Sequence, residues 1–250
     1  TSFTRGENKY ANMYIWTFGI NGVVTFGRSW AEFTAILKDV SETYELSKTR
    51  RLVVYVHNFA FEFQFIRKWL EWEDVFSIDE RKPLYALSKL GIEFRCSYLL
   101  SGYALASLGE QLRKYPVQKM VGDLDYSLPR HDKTPLTPEE LKYCENDVRV
   151  VMAYIQERIE NDGDITRVPL TKTGYVRKYC RDACLVGDSP KTRKFKYMQY
   201  RRLMSALTLT QEEYKSLKMA FQGGFTHANA FYSGKVVENV GSYDFTSSYP

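Results

Sequence analysis

The stretch RLVVYVHNFAFEFQFIRKWLEW, residues 51–72, decides the fold because its pattern changes from strand to helix around one short polar step. Its β-branched first half is typical of a short buried strand. After His57 and Asn58 the apolar residues follow a helical period. One face of that helix is predicted to carry Phe61, Phe65, Ile66 and Trp69. The segment therefore predicts a strand that leads directly into a helix.

Glu62 is the acid at the centre of this apolar segment, on about the first turn of the predicted helix. The helix dipole favours an acid there, so the residue needs no further role. The alternative is a functional group, because α/β sheets gather such groups beside the carboxyl ends of their strands. The flanking His57 and Asn58 favour this second interpretation.

Tyr143 and Asp147 form a second candidate pair on the most clearly predicted helix. Thr137 can cap that helix, Pro138 suits its first position and Glu140 completes a capping box. Residues four apart share one helical face. Alone, the pair would also fit an ordinary amphipathic helix with an edge tyrosine. Two acids from separate helices plus a phenol, however, are what a two-metal phosphodiester nuclease requires.

The rest of the chain predicts a mixed α/β layer. Asn21-Gly22 and Gly91 indicate hairpin turns, and strands and helices alternate over the first 160 residues. A capped helix begins at Thr210, and residues 221–250 are typical of strands. The basic run KTRKFKYMQYRRLM from Lys191 fits a surface that follows a phosphate backbone, and equally a solvated helical face.

Composition limits the class of protein. The 250 residues are 44% apolar and 15% aromatic, which excludes a disordered chain. The sequence shows no apolar run that could span a bilayer and no signal-peptide pattern, and its four cysteines are widely spaced. We therefore expect a cytoplasmic protein with no membrane partner. The net charge of +5 is a mild indication of a polyanionic partner.

Two segments resemble the second and third exonuclease motifs of family B DNA polymerases, most closely those of the protein-primed branch found in bacteriophages. In HNFAFEFQFI, Asn58 and Glu62 match the asparagine and the acid of the second motif. In YCENDV, Tyr143 and Asp147 match the tyrosine and the aspartate of the third motif. Ser107-Leu108 in ASLGEQL is similar to the family's motif that contacts single-stranded DNA.

Further matches follow in the order of the family. Tyr126 in GDLDYS resembles a stretch between the second and third motifs. Gly223 and Gly224 in FQGGF resemble the linker between the exonuclease and polymerase domains. YDFTSSYP resembles the first polymerase motif, which implies that Asp244 binds metal and that Tyr249 screens the sugar 2′ position of the nucleotide.

The sequence also departs from the family. The second motif has Glu62 where aspartate is usual, the linker has Phe221 in place of tyrosine, and Ser248 stands where leucine is common. Val121 occupies the place of the catalytic lysine, and Lys119 is the nearest substitute. The first exonuclease motif, an aspartate-any-glutamate pair, is not in these 250 residues. We therefore expect a segment of a longer polymerase that is inactive by itself.

The resemblance implies a ribonuclease H-like 3′–5′ exonuclease domain, with a mixed sheet flanked by helices, followed by a linker and the first strands of a polymerase palm. The expected boundaries are residues 1–162 for the exonuclease domain, 163–222 for a helical basic connection and 223–250 for the start of the palm.

The implied function is replicative DNA synthesis with 3′–5′ proofreading. Tyr143 would align the attacking water, and Glu62 and Asp147 would bind two Mg²⁺ or Mn²⁺ ions per active site together with the two missing acids. The DNA-binding residues would be Asn58, Phe61, Phe65, Ser107, Leu108, Tyr126, Gly223 and Gly224, and the nucleotide-binding residues Asp244 and Tyr249. Partners would be a single-stranded primer end, primer-template DNA, deoxynucleotides and, in the protein-primed branch, a terminal protein primer. A viral enzyme would act in the host cytoplasm.

Two alternatives stay open at this point. One is a free-standing exonuclease of the same fold, against which YDFTSSYP argues. The other is an inactive single-stranded DNA-binding module, which the missing first motif would equally predict. An aspartate-any-glutamate pair encoded just before Thr1 would favour the enzyme.

Overall fold

The computed structural model describes residues 2–5, 8–80, 82–117, 120, 129–220, 230–239 and 241. The chain divides into two compact units, Thr1–Ala183 and Cys184–Pro250. None of the described helices is long and apolar enough to cross a membrane.

The first unit alternates strands and helices, as the sequence predicts. Its strands are β1 (Ser2–Arg5), β2 (Asn8–Ala11), β3 (Trp16–Ile20), β4 (Val23–Gly27), β5 (Leu52–Val56), β6 (Trp72–Asp79), β7 (Lys82–Ser88) and β8 (Ile92–Cys96). Its helices are α1 (Trp30–Thr43), α2 (Phe59–Ile66), α3 (Ser97–Ser101), α4 (Leu105–Glu110), α5 (Pro138–Asp162) and α6 (Lys172–Cys184), which ends at the boundary of the two units; a single 3₁₀ turn covers Ile165–Arg167.

The central sheet is mixed and has the strand order β5-β8-β7-β6. Strands β5 and β8 run parallel, and Val54 lies opposite Phe94 in their register. Strand β7 is antiparallel to both of its neighbours. Since β5 and β8 point the same way, their carboxyl ends, and the segments that follow them, lie at one edge of the sheet.

The two predicted hairpins are confirmed. Strands β3 and β4 pair antiparallel around Asn21 and Gly22, both of which have positive φ, at 49° and 82°. A two-residue turn of this kind matches the twist of the strands that it joins. Gly91, with φ of 74°, lies in the turn between β7 and β8.

Alternating side chains of β5 contact different helices. Val54 and Val56 pack against a core that includes Phe33 and Leu37 of α1 and Phe59 of α2. Tyr55, which lies between the two valines, packs instead against the core formed around α5. Because successive strand residues point to opposite faces, α2 and α5 cover opposite sides of β5.

The predicted apolar face of α2 is confirmed only for Ile66, which is buried, and is wrong for the other residues. Phe59 and Ile66 are the buried residues of the helix, whereas Phe61 is 52% exposed. Trp69 lies beyond the end of the helix and stacks on Trp30, with ring centroids 5.6 Å apart. The helix is nearly all apolar, so its sequence contains more than one candidate face, and only packing against β7 and β8 selects one.

Gly19 of β3 allows α5 to approach the β3–β4 hairpin closely. A Cβ atom added to Gly19 would overlap Met152 Sδ and lie 2.7 Å from Val148 Cγ1 of α5. Such a contact is too short for carbon atoms, so the helix or its side chains would have to move.

Gly19→Ala is therefore expected to lower the free energy of unfolding by about 1–3 kcal/mol, the usual cost of overpacking. Urea denaturation of the purified protein measures the change. Met152→Ala in the Gly19→Ala background should recover part of the loss, because it removes the nearest overlapping atom. If the effects of the two substitutions on the free energy of unfolding were additive, the close approach of α5 to Gly19 would not be the cause of the destabilisation.

The second unit contains helices α7 (Pro190–Ala206) and α8 (Gln211–Ala220). The predicted cap of α8 is confirmed, since Thr210 N donates to Glu213 Oε2 at 2.7 Å. Strands are predicted over residues 221–250, but residues 230–239 of this range form turns and irregular structure, so the prediction is wrong there: the turn at Ser233-Gly234 extends over its neighbours and no strand follows it up to residue 239. The rest of the range, residues 221–229, 240 and 242–250, lies outside the described residues, and so do Gly223, Gly224, Asp244 and Tyr249. The domain boundaries stay predictions.

Candidate functional site

Asn58 forms the turn between β5 and α2. It has φ of 56° and ψ of 50°, in the left-handed region that asparagine tolerates better than most residues. The N–H of Phe61 donates to the Asn58 carbonyl at 2.9 Å, so the helix begins immediately after this turn. The Asn58 side chain makes no capping hydrogen bond to α2. This turn places the first residues of α2 at the carboxyl end of β5.

Glu62 lies one turn into α2 and is solvent-exposed. Desolvation by the surrounding protein atoms nevertheless raises the pKa of its carboxyl group. A cation that approached Glu62 would stabilise its ionised form, since desolvation is the main influence that opposes it.

Phe61 and Phe65 lie on the exposed side of the same helix. Phe61 is 52% exposed, and Phe65 is half-buried. Their ring centroids are 5.2 Å apart in an edge-to-face arrangement. The two rings form an aromatic surface next to Glu62 in the sequence and do not belong to the buried core.

His57 connects the end of β5 to the segment that follows β8. Its Nδ1 atom lies 3.1 Å from Ser97 Oγ at the start of α3, and its ring meets Tyr98 edge to face at 5.8 Å. These contacts tie together the carboxyl ends of the two parallel strands. His57 thus has the structural role that fits a histidine at a helix entry.

Tyr143 and Asp147 are both half-buried and lie one turn apart on α5. The predicted capping box is confirmed: Glu140 N donates to Thr137 Oγ1 at 3.2 Å, and Thr137 N donates to Glu140 Oε2 at 2.9 Å. Burial raises the pKa of the neighbouring Cys144 thiol. The cap determines where α5 begins and hence the positions of Tyr143 and Asp147 along the helix axis.

Two arginines fix the start of α5 and the loop before it. Arg130 binds α5 itself, and Arg28 links that loop to the β3–β4 hairpin. Arg130 donates to Glu140 Oε1 from Nε at 3.1 Å and from Nη2 at 2.9 Å. Arg28, which follows β4, donates to the carbonyl of Tyr14 at 2.5 Å and to that of Thr134 at 2.6 Å. These bonds link β3 and β4 to the loop before α5. Nothing in the sequence singled out either arginine.

Ser107 and Leu108 lie on α4, which packs on α5. Leu108 is fully buried in the same core as Val150 and Tyr154. Ser107 is half-buried. Any contact of this pair with DNA therefore comes from Ser107 or from the backbone, while the Leu108 side chain fixes α4 on α5. Tyr126 lies outside the described residues.

Glu157 is a buried acid that no sequence pattern singles out. Its Oε1 atom accepts hydrogen bonds from the backbone N–H groups of Arg113 at 2.7 Å, Lys114 at 2.6 Å and Tyr115 at 3.2 Å. Burial alone would raise the pKa of Glu157, but these three donors outweigh it and hold the pKa below its usual value. Glu157 thereby attaches the segment after α4 to α5.

The donor chemistry of Glu62 and Asp147 suits a divalent cation, since Mg²⁺ and Mn²⁺ prefer carboxylate oxygens. Within the described part of the chain, no three His, Cys, Asp or Glu side chains come close enough together to hold a metal ion. Glu62 lies on α2 and Asp147 on α5, the helices that cover opposite sides of β5. A metal site shared by their carboxylates stays a prediction.

A family model for DNA polymerase type B, organellar and viral, matches residues 111–250, more than half of the chain. The chain belongs to this family. Tyr143, Asp147 and Asp244 lie within the range matched by the type B polymerase model, and the family resemblance is confirmed.

Relatives extend the similarity to the N-terminal part. The DNA polymerase of Bacillus phage Nf is 27% identical over 217 residues, which cover 79% of this chain and 35% of that protein. The DNA polymerase of Bacillus phage phi29 is 25% identical over an alignment of 267 positions, 97% of this chain and 41% of the relative. This type B polymerase chain thus spans about two fifths or less of the length of these relatives.

The fold class is confirmed by a solved structure. Phi29 DNA polymerase complexed with single-stranded DNA matches 92% of this chain and 40% of its own length, with a TM-score of 0.51 and 18% identity. At that identity the match shows a shared fold, and the roles of single side chains have to be argued from the site itself.

Proposed function

We propose that this chain carries the 3′–5′ proofreading exonuclease domain, and the entry to the polymerase palm, of a replicative DNA polymerase. The observation that carries the proposal is that a chain of the type B polymerase family has carboxylates at both motif positions: Glu62 after the turn at Asn58, and Asp147 one turn beyond Tyr143. The substrates would be primer-template DNA and deoxynucleotides, and a terminal protein in a protein-primed enzyme.

In the exonuclease reaction, water attacks the phosphodiester bond of the 3′-terminal nucleotide, and a deoxynucleoside monophosphate leaves. Glu62 and Asp147 would share Mg²⁺ or Mn²⁺ with acids beyond the described residues. When bound, two such ions activate the water and stabilise the leaving 3′ oxygen. The phenol of Tyr143, on the same face of α5 as Asp147, would accept or donate a hydrogen bond that orients this water.

The primer end would be held on the exposed side of α2. Phe61, and to a lesser extent Phe65, can stack on unpaired bases, which is typically worth about 1–3 kcal/mol per base. Asn58 has an amide that makes no capping bond and is available to the DNA. Ser107, on α4, and Tyr126 would contact the strand further along. Glu157 would position α4 through its hold on residues 113–115.

Asp244→Ala is expected to remove nucleotide incorporation and to spare excision, because Asp244 would bind the metal of the polymerase site and takes no part in the exonuclease site. The measurement uses the protein that carries this chain, with Mg²⁺ and a primer-template labelled at the primer 5′ end. Primer shortening without deoxynucleotides reports excision, and primer extension reports synthesis.

Retained synthesis by Asp244→Ala would contradict the palm assignment. Absence of any Mg²⁺-dependent shortening by the unsubstituted protein would contradict the exonuclease assignment and favour a binding module. The two halves of the proposed function can therefore fail separately.

A further inference from the structure

Helix α7 has an unusual charge distribution. Its 17 residues include six lysines and arginines and no acid. Four of these cations occur with the spacing i, i+3, i+10 and i+11, which places them on one side of a helix. Phe195 and Met198 take positions i+4 and i+7 of the same side. The basic face of α7 is defined as Lys191, Lys194, Phe195, Met198, Arg201 and Arg202.

The basic face of α7 is open to solvent. The four cations are exposed, Phe195 is 63% exposed and Met198 is 43% exposed. Over the residues that the structure describes, none of these four cations takes part in a salt bridge; Arg193, on the other side of the helix, donates to the Gly187 carbonyl at 3.0 Å. Amphipathic helices usually place apolar residues at this spacing, whereas here the spacing collects like charges.

Like charges without counter-charges repel one another along the helix, so the basic face is stabilised by any polyanion that neutralises it. Lys191 and Arg202 are 11 residues apart, or about 16 Å along the helix axis. A row of cations of this length suits an extended phosphate backbone rather than a single bound ion. A guanidinium group, such as that of Arg201 or Arg202, can donate two parallel hydrogen bonds to the oxygens of one phosphate.

We propose that the basic face of α7 binds single-stranded DNA, with the cations on successive phosphates and Phe195 stacked on an unpaired base. Phe195 favours single-stranded over double-stranded DNA as the ligand, because its exposed ring lies among the cations and a duplex has no unpaired base that could stack on it. The choice of DNA as the polyanion rests on the proposed function. The surface itself contains none of the residues assigned to the two active sites.

The test measures the binding of a fluorescent single-stranded oligonucleotide of about 20 nucleotides to the full chain, by anisotropy over a series of salt concentrations. EDTA is present, so no metal-dependent excision takes place. The variant Arg201→Ala/Arg202→Ala should bind more weakly, and the slope of log affinity against log salt should fall by about 1.4, or 0.7 for each lost phosphate contact. Arg201→Lys/Arg202→Lys keeps both charges and should keep the slope.

The matched control is Arg193→Ala/Lys196→Ala, which removes the same charge from the opposite side of the same helix. It should leave most of the slope in place. Phe195→Ala should weaken the binding of the single strand and leave that of a duplex of equal length unchanged.

An equal loss of affinity and of salt slope in Arg201→Ala/Arg202→Ala and in the control Arg193→Ala/Lys196→Ala would overturn the proposal, because it would indicate a general effect of net charge. Tighter binding of the duplex than of the single strand, or an unchanged slope in Arg201→Ala/Arg202→Ala, would overturn it as well; the face would then belong to a duplex site or to a protein contact. Since excision plays no part in this test, its failure leaves the exonuclease assignment intact. Likewise, a failure of that assignment does not change the binding curves.

Discussion

Asp147→Ala should abolish 3′–5′ degradation of single-stranded DNA in the presence of Mg²⁺, while DNA synthesis stays measurable. The carboxylate is one of the few oxygen donors at the proposed metal centre, and alanine offers no replacement. Loss of several kcal/mol of transition-state stabilisation corresponds to a fall in rate of about 10³-fold or more. The measurement is the initial rate of mononucleotide release from a 3′-labelled oligonucleotide at saturating substrate.

Glu145→Ala is the matched control for this prediction. Glu145 lies two residues away on the same helix, and its carboxylate is 3.8 Å from Arg149, with which it forms an i,i+4 ion pair. Exposed pairs of this kind contribute about 0.3–0.5 kcal/mol, so excision should stay close to that of the unsubstituted protein. Persistent excision by Asp147→Ala, or an equal loss in the control, would show that the site has been assigned to the wrong carboxylate.

Glu157→Ala should be strongly destabilising for a substitution of a polar residue in α5. It removes one buried acceptor and leaves three backbone N–H groups, those of residues 113–115, without their carboxylate. The expected loss in the free energy of unfolding is about 3 kcal/mol, since bonds to charged groups are strong and their donors are only partly rehydrated. Urea or thermal denaturation at pH 7 measures it.

The pH dependence separates the charge of Glu157 from its shape. A carboxyl group whose pKa is lowered in the folded state contributes stability above its ordinary pKa of 4.5 and loses that contribution as the pH falls further. Glu157→Gln keeps an acceptor oxygen but not the charge. The Glu157→Gln variant should therefore be more stable than the Glu157→Ala variant at pH 7. Below pH 4.5 its free energy of unfolding should depend less on pH than that of the unsubstituted protein.

Glu160→Ala is the control for Glu157. Glu160 bonds the same segment, but through the side chains of Lys114 and Tyr115, at 2.9 and 2.6 Å. Hydrogen bonds from Tyr115, Gln156 and Lys114 lower the pKa of Glu160 to about 2. Because all of these groups are exposed, water replaces the lost bonds and stability should change little. If the Glu160 variant were as unstable as the Glu157 variant, the buried backbone contacts would not be the main contribution.

Helix and turn signals of the sequence were sufficient for the local elements. The capping box at Thr137 and Glu140, the hairpin at Asn21-Gly22 and the turn at Gly91 all depend on neighbouring residues in the chain, and all three are confirmed. The motif residues Asn58 and Glu62 were found in the same way, because the change from a β-branched run to a helical period is local.

Packing decided what the sequence left open. The segment FAFEFQFI offers several apolar faces, and the choice of Phe59 over Phe61 as its buried residue depends on β7 and β8, which come later in the chain. The Leu108 side chain likewise belongs to the core around α5, and the contact of Ser107-Leu108 with DNA stays a prediction.

The sequence by itself determined the family, the order of its motifs and the two acids proposed for the nuclease site, because those signals consist of residue types at short spacings. Only the tertiary structure showed that Glu157 and Arg28 attach distant segments to each other. Glu157 accepts from the backbone N–H of Arg113, 44 residues away, and Arg28 donates to the carbonyl of Thr134, 106 residues away. A hydrogen bond to a distant backbone group leaves no pattern in the chain.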